Sequence, residues 1–358
     1  MAQDILWGAD HLASLLKGGR CFLIHGNSFC HLPIYPYFQH LDYVEFTDFS
    51  PNPTYEQVCE ALKAFQRSGC DHIMAVGGGS AIDVAKCVKR FAEMDPESEL
   101  LNQTAPCADI PLTALPTTAG TGSESTHFAV IYHNGKKCSV AHPAMLPNQV
   151  ILEPDVLCSL PLYQKKCTML DALCQAIESI WARKATEESK SLAKRAILSI
   201  REYWHAYLVE NDPEAAQKIM KAANLAGQAI DQTTTTAPHA MSYQLTSLYG
   251  LPHGHAVGLC MSEVWAYTRT HIDDCPEQEG RTQLTQALKE IEALISLEWF
   301  DRLLDELQME RPTAGDREKE LALLTESVNP ERLGNHPIKL DTSVLRMLYE
   351  GVVNCESK

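Results

Sequence analysis

The 358-residue sequence has no uninterrupted apolar run of the roughly 18 residues a membrane-spanning helix needs, so nothing in it reads as a bilayer segment. It has no run of lysines or arginines either, and 30 Lys plus Arg against 46 Asp plus Glu leave a formal net charge of -16. Such an acidic chain repels nucleic acid and anionic membranes, and any anionic small ligand would need its own basic pocket. The opening MAQDILWGAD lacks the basic and apolar segments of a secretory leader, so the expected location is the cytoplasm. The 13 cysteines are scattered without the paired spacings of a zinc ribbon or a redox motif, and are expected to be reduced core thiols. No HExxH, no repeat of fixed period and no low-complexity tract occurs.

What is present is the composition of a folded globular protein, 45% hydrophobic and 21% charged, long enough for two domains. The first half alternates short apolar runs with helical patterns: RCFLIHGN (20–27), DYVEFTDFSPNP (42–53), HIMAVGGG (72–79) and DIPLTALPTT (109–118) read as strands, and TYEQVCEALKAFQRSG (54–69) as a helix ending on Gly69. That order predicts a parallel sheet covered by helices. Asn134-Gly135, between two alternating runs, predicts a β-hairpin, because this pair accepts the positive φ angles of a type I′ turn. After VILEPDVLCSLP (150–161) the pattern becomes helical with almost no strand signal. We therefore expect an α/β domain over residues 1–159 and an all-α domain over 160–358, with a ligand cleft between them.

Three stretches carry candidate chemistry. Gly77, Gly78, Gly79 and Ser80 follow a buried strand and open a helix, where bare backbone and unpaired N–H groups favour an anion such as pyrophosphate. A glycine-rich turn without a ligand is the plain alternative, and Asp83 reads equally well as a carboxylate complementing the helix dipole. LPTTAGTGSES (115–125) supplies a second such loop at the same expected sheet edge, which strengthens the nucleotide reading. In the helical half, Asp171 and Gln175 are four apart on one helix face, and His239, His253 and His255 follow in PHAMSYQLTSLYGLPHGHAVGL. Carboxylate and imidazole donors suit a divalent ion, Fe²⁺ or Zn²⁺, although each residue taken singly could as well be structural.

Together, SPNPTYEQV, AVGGGSAIDVAK, LPTTAGTGSE, FAVIY, MLPNQVILEPDVLCSLP, DALCQAIES and PHGHAVGL resemble, in order, the iron-dependent alcohol dehydrogenase family of the dehydroquinate-synthase-like superfamily. The resemblance implies that the α/β domain, 1–159, is a dinucleotide-binding domain and 160–358 a helical metal- and substrate-binding domain, with a coenzyme site at Gly77, Gly78, Gly79 and Ser80, at Thr117, Thr118, Thr121 and Ser123, and at Lys137 near the nicotinamide. It implies a metal, Fe²⁺ before Zn²⁺, on Asp171, Gln175, His239 and His253. Gln175 departs from the histidine usual there, and Tyr243 stands where many relatives have another histidine; Tyr243 and His255 are the candidates for proton delivery. Gly26 replaces an aspartate frequent in NAD-preferring relatives, so NADPH as well as NADH is expected. HAMSYQLTSLYGLPHGHAVGL, the glutamine of DALCQAIES, IWARKATEES and VNPERLGNHPIKL are most similar to the phosphonoacetaldehyde reductases, which implies reduction of an aldehyde to a primary alcohol, phosphonoacetaldehyde to 2-hydroxyethylphosphonate. A general short-chain alcohol or aldehyde dehydrogenase and a cyclase of the dehydroquinate synthase type are the alternatives, together with a nucleotide-binding protein that has lost catalysis. Arg183, Arg332 and Asn335 are the candidates for binding a phosphonate, and a homodimer is the expected assembly.

Overall fold

The structure, a computed structural model, describes residues 3–12, 19–101, 107 and 109–355. The chain divides into two compact units, Met1–Leu160 with Asn211–Gly227, and Pro161–Glu210 with Gln228–Lys358. The stretch 211–227, which belongs to the helical half by its pattern, is thus part of the first unit.

In the first unit, β1 (Asp4–Trp7), β2 (Cys21–His25), β3 (Tyr43–Phe46), β4 (His72–Gly77), β5 (Leu112–Pro116) and β8 (Gln149–Leu152) form one parallel sheet in the order β1-β8-β5-β4-β2-β3. Every residue of β2 and β5 is buried, and β4 is buried from Ile73 onward, as strands covered on both faces require. Helix α1 (Tyr55–Ser68) starts on a Thr54–Gln57 capping box and stops at Gly69, whose φ of 68° ends the helical path. Helix α2 (Gly79–Phe91) leaves β4 directly, and its face of Ala81, Ile82, Ala85 and Val88 joins the core beside Ile73, Ala75 and Ala114. β6 (Phe128–His133) and β7 (Lys136–Ala141) are the expected antiparallel hairpin, with Asn134 at φ 51° and Gly135 at φ 71°.

The chain runs from β2 out to the edge strand β3, then returns across β2 to β4. Strand order therefore reverses between β2 and β4, and a crevice opens at their carboxyl ends, the place where sheets of this kind bind ligands.

The second unit is helical: α3 (Leu162–Trp181), α4 (Glu187–His205), the last turns of α5 (Pro213–Thr233), α6 (Ala237–Tyr249), α7 (His253–Thr270), α8 (Gln278–Leu294), α9 (Leu297–Glu306), α10 (Arg317–Glu326) and α11 (Thr342–Val352). Two residue pairs, Thr313–Ala314 and Asn354–Cys355, form a minimal parallel ladder. From Met169 to Trp181 every residue of α3 is buried, the pattern of a helix surrounded by others. Helix α6 ends on Gly250 (φ 68°) and α7 begins after Pro252, so the chain reverses within a few residues and the two helices pack as a pair. Gly254 lets α7 approach α3: a Cβ there would strike the Cys167 carbonyl and lie 3.0 Å from Asp171 Cβ. That close approach brings the first residue of α7 to the middle of α3. No described helix is long and apolar enough to cross a membrane.

Candidate active site

In the first unit a cavity of about 290 Å³ fills the crevice, lined among others by Gly26, Gly78, Gly79, Ser80 and Thr117. None of Gly77, Gly78 and Gly79 has a positive φ, so they are needed for space and not for an unusual backbone turn. A Cβ on Gly77 would sit 2.7 Å from that of Ala81, and one on Gly79 would sit 3.0 Å from the Thr121 side chain. Gly78 caps α2 with no side chain over its first N–H groups, which leaves an anion-sized opening. Ser80 Oγ accepts from Asn52 N–H at 3.3 Å, which ties the first loop to the turn before α1, and Thr117 N–H donates to the Gly77 carbonyl at 3.0 Å, which ties the two loops to each other.

The second loop is held from below by a buried network. Lys86 Nζ donates to Ser123 Oγ (3.0 Å), Thr126 Oγ1 (2.8 Å) and the Phe128 carbonyl (2.8 Å). Asp83 accepts from the Ser123 hydroxyl (2.5 Å) and from Val130 N–H (3.0 Å). Burial pushes the Asp83 carboxyl upward against the pull of Lys86 and these hydrogen bonds. Asp83 therefore does not complement the helix dipole at the surface; it braces the second loop. Ser123 is likewise engaged inside the protein, while Thr118 lies beside Gly78 and Thr121 beside Gly79. Gly122 (φ 61°) meets Gly227 backbone to backbone, and Asn224 donates to Glu124 Oε1 (3.2 Å) and Ser125 Oγ (2.7 Å). This explains why residues 211–227 belong to the first unit. Lys137 lies on β7, opposite Tyr132, and its charge reaches Asp83.

In the second unit Asp171, His239 and His253 each turn a donor atom to one point, and these atoms lie within 4.8 Å of one another. Asp171 Oδ1 is 3.1 Å from His239 Nε2 and 4.0 Å from His253 Nε2. Neighbouring ligands of an ion with bonds near 2.1 Å stand about 3.0–3.4 Å apart, so small side-chain movements close this set on a divalent cation. The chemistry fits too: one carboxylate oxygen and two imidazole nitrogens suit Fe²⁺ and Zn²⁺ alike. Gln175, one turn beyond Asp171 and buried, hydrogen-bonds the Asp171 carboxylate. Burial opposes ionisation of Asp171, yet the hydrogen bond from His239 and the nearby charges of His253 and His239 hold it below the usual carboxylate range. Burial also opposes protonation of His239, but Glu178 and Asp171, one on each ring nitrogen, outweigh it and raise its pKa to about 9.

Tyr243 stacks on His253, ring centroids 5.7 Å apart and planes within 8°. The Arg332 guanidinium stands 5.9 Å from the Tyr243 ring centre and donates to Thr235 Oγ1 at 3.1 Å. Arg332 and Tyr243 are thus drawn to the donor cluster. The other candidates are placed differently. His255 donates through Nε2 to the Glu310 carbonyl (3.0 Å) and accepts the Tyr163 hydroxyl at Nδ1 (2.8 Å), so both nitrogens are engaged and burial lowers its pKa. Asn335 spends its amide N–H groups on Thr233 O, Thr234 Oγ1 and Thr235 O, holding the turn before α6. Arg183 pairs with Glu277 at 3.7 Å and lines a separate cavity of about 460 Å³ with Lys190 and Glu279.

Sequence reading missed Glu178, whose carboxylate hydrogen-bonds His239. The signal was present in DALCQAIES, since residues 171, 175 and 178 share one helical face. The cysteine expectation also needs amending: the described cysteines are free thiols, but Cys30 is exposed and not part of any core.

A glycine-edged crevice at the switch point of a parallel sheet, with a carboxylate–imidazole donor cluster in a helical unit, is a make-up shared with metal-dependent, nucleotide-linked dehydrogenases. Comparison with known proteins agrees. Residues 5–154 match the family model for iron-containing alcohol dehydrogenase, and residues 166–329 match the model for the C-terminal part of the same family. The chain belongs to the iron-containing alcohol dehydrogenase family. It is 31% identical over 255 residues to a phosphonoacetaldehyde reductase of Streptomyces viridochromogenes, covering 67% of this chain and 64% of that protein. It is also 31% identical over 234 residues to an NAD-dependent methanol dehydrogenase of Bacillus methanolicus, covering 63% of this chain and 61% of that protein. In both relatives the match spans less than two thirds of their length. Among solved structures, sulfoacetaldehyde reductase of Bifidobacterium kashiwanohense in complex with NAD+ superimposes with a TM-score of 0.84 at 26% identity, covering 98% of this chain and 96% of that one.

Proposed function

We propose that the chain is a metal-dependent, NAD(P)H-linked aldehyde reductase whose substrate carries an anionic head group, phosphonoacetaldehyde being reduced to 2-hydroxyethylphosphonate. One observation carries the substrate reading: the Arg332 guanidinium lies 5.9 Å from the centre of the Tyr243 ring, and that ring stacks on His253 of the donor cluster. In a chain of net charge -16, an anion needs such a local cation. Two of the relatives named above act, by their names, on aldehydes bearing a phosphonate or a sulfonate, which supports the same class.

When bound, a divalent ion supplies Lewis acidity and a nicotinamide coenzyme supplies the redox pair. Asp171, His239 and His253 would hold the ion, with the Gln175 amide beside them; Fe²⁺ is the ion we assign and Zn²⁺ suits the same donors. The bare N–H groups at the start of α2, with Gly78, Gly79 and Ser80, would hold the coenzyme pyrophosphate. Thr117, Thr118 and Thr121 line or flank that cradle, while Ser123 acts through Asp83 and Lys86. Lys137 would lie near the nicotinamide and its ribose, as the family resemblance implies. Gly26 places no carboxylate where a ribose 2′-phosphate would bind, so both NADH and NADPH are accepted. Tyr243 Oη is the group we assign to deliver the proton to the product oxygen, because the nitrogens of His255 are occupied by Tyr163 and Glu310. Arg332 would pair with the phosphonate.

The test is steady-state kinetics of wild type and Arg332→Met with phosphonoacetaldehyde, sulfoacetaldehyde, acetaldehyde and glycolaldehyde. A charged hydrogen bond of about 1.5–3 kcal/mol predicts a roughly 10–100-fold loss of kcat/KM for the anionic aldehydes, with the neutral ones changed less than about threefold. Equal efficiency of wild type on anionic and neutral aldehydes would leave a general short-chain dehydrogenase, and equal loss on both would remove Arg332 from the substrate site.

A further inference from the structure

Glu178 is 0% exposed, and among the described residues no lysine or arginine pairs with it. Its Oε1 accepts from Thr236 N–H at 2.8 Å and from the Thr236 hydroxyl at 2.9 Å. Its Oε2 accepts from His239 Nδ1. Thr236 is the residue that opens α6, and its hydroxyl, turned toward Glu178, also accepts the Trp181 indole N–H at 3.0 Å. One buried carboxylate on α3 therefore fixes both the start of α6 and the ring of His239, the third residue of that helix. A carboxylate buried this completely costs several kcal/mol unless compensated, and capping a helix alone is done as well by a neutral side chain.

A histidine that donates Nδ1–H to a carboxylate can ligate only through Nε2, giving up that nitrogen's proton to the incoming metal, and it is Nε2 that faces Asp171 and the donor cluster. We propose that Glu178 is a positioning residue for the cation: it holds His239 in the tautomer that ligates through Nε2, and its negative charge, added to that of Asp171, matches a divalent ion in a buried site. This rests on the metal reading proposed above. Trp181, Thr236, Glu178 and His239 then form one continuous line of hydrogen bonds leading to Nε2, where the ion would replace the present contact with Asp171.

The experiment is Zn²⁺ titration of the metal-stripped full-length protein against a competing chromophoric chelator, for wild type, Glu178→Gln, Asp171→Asn and Thr236→Val, with thermal unfolding of each metal-free protein. Glu178→Gln keeps shape and an acceptor oxygen while removing the charge; it is expected to bind Zn²⁺ about 10–100-fold more weakly. Thr236→Val removes one hydrogen bond to Glu178 and is expected to lower the unfolding temperature while leaving Zn²⁺ affinity within about threefold. Affinity of Glu178→Gln within threefold of wild type, with Asp171→Asn strongly weakened, would overturn the proposal and keep the metal site. Unchanged affinity in both would overturn the metal site itself. If Glu178→Gln does not fold, histidine ¹⁵N shifts of the wild-type zinc protein decide: His239 protonated at Nδ1 and ligating through Nε2 supports the proposal, and ligation through Nδ1 overturns it.

Discussion

Under the proposed coenzyme placement, an aspartate in place of Gly26 should turn the crevice against NADPH. Gly26 directly follows strand β2 at the crevice, and nothing lies within 4 Å of where its Cβ would be, so Gly26→Asp adds a carboxylate without displacing a neighbour. Its φ lies outside the left-handed region, so the substitution carries no backbone strain. Two unit charges 4 Å apart repel by ~1 kcal/mol in water and ~4 kcal/mol at an effective dielectric of 20. A 2′-phosphate carries between one and two charges, and the crevice mouth is wet, so the lower figure governs and the penalty is ~2 kcal/mol, about thirtyfold. NADH presents ribose hydroxyls at that position, which can donate to the new carboxylate and lose nothing. The assay is kcat/KM for each coenzyme at saturating aldehyde, at two salt concentrations. The NADPH-to-NADH ratio should fall about thirtyfold, less at high salt because screening weakens the repulsion. Equal losses for both coenzymes, or an unchanged ratio, would refute the placement of the ribose at the end of β2.

Two further outcomes follow from packing and titration. Gly254→Ala forces α7 off α3, because the new methyl meets the Cys167 carbonyl and Asp171 Cβ; we expect a stability loss of about 1–3 kcal/mol and weaker metal binding, measured by urea unfolding and zinc titration, and unchanged values would contradict the packing account. His336 is buried beside Trp181 with Nε2 at 3.2 Å from Thr268 Oγ1, and burial lowers its pKa from 6.5 to about 3. A depressed histidine stabilises the fold above its unfolded pKa and loses that contribution as pH falls toward 3, so wild type should lose ~2 kcal/mol between pH 7 and pH 5 that His336→Gln does not. Parallel pH profiles of the two proteins would contradict this.

Local chemistry was readable and long-range placement was not. Helix α1, with its Thr54–Gln57 box and Gly69 stop, and the Asn134-Gly135 hairpin are set by neighbouring residues, so their patterns survive in a bare sequence. Buried β2, β4 and β5 show as apolar runs for the same reason. β1 escaped notice because only pairing with β8, some 145 residues away, makes a strand of four half-exposed residues. Periodicity identified 211–227 as helical but could not say which core it joins; the Gly122–Gly227 contact and Asn224 decide that. Asp83 was misread because a helix-start carboxylate looks the same whether solvated or buried against a distant loop. At the donor cluster, residue types pointed to Asp171, Gln175, His239, His253 and His255 together and the family resemblance set His255 apart from the ligands, whereas its engagement by Tyr163 and Glu310 depends on contacts no spacing reveals.

The claim on which the rest depends is that Asp171, His239 and His253 share one cation. Anomalous diffraction from crystals of the iron- or zinc-loaded protein, collected on either side of the metal edge, tests it most directly. The account predicts one peak per chain, about 2.0–2.2 Å from a carboxylate oxygen of Asp171 and from Nε2 of both histidines. A bound ion located elsewhere, or one that leaves either histidine uncoordinated, would contradict it.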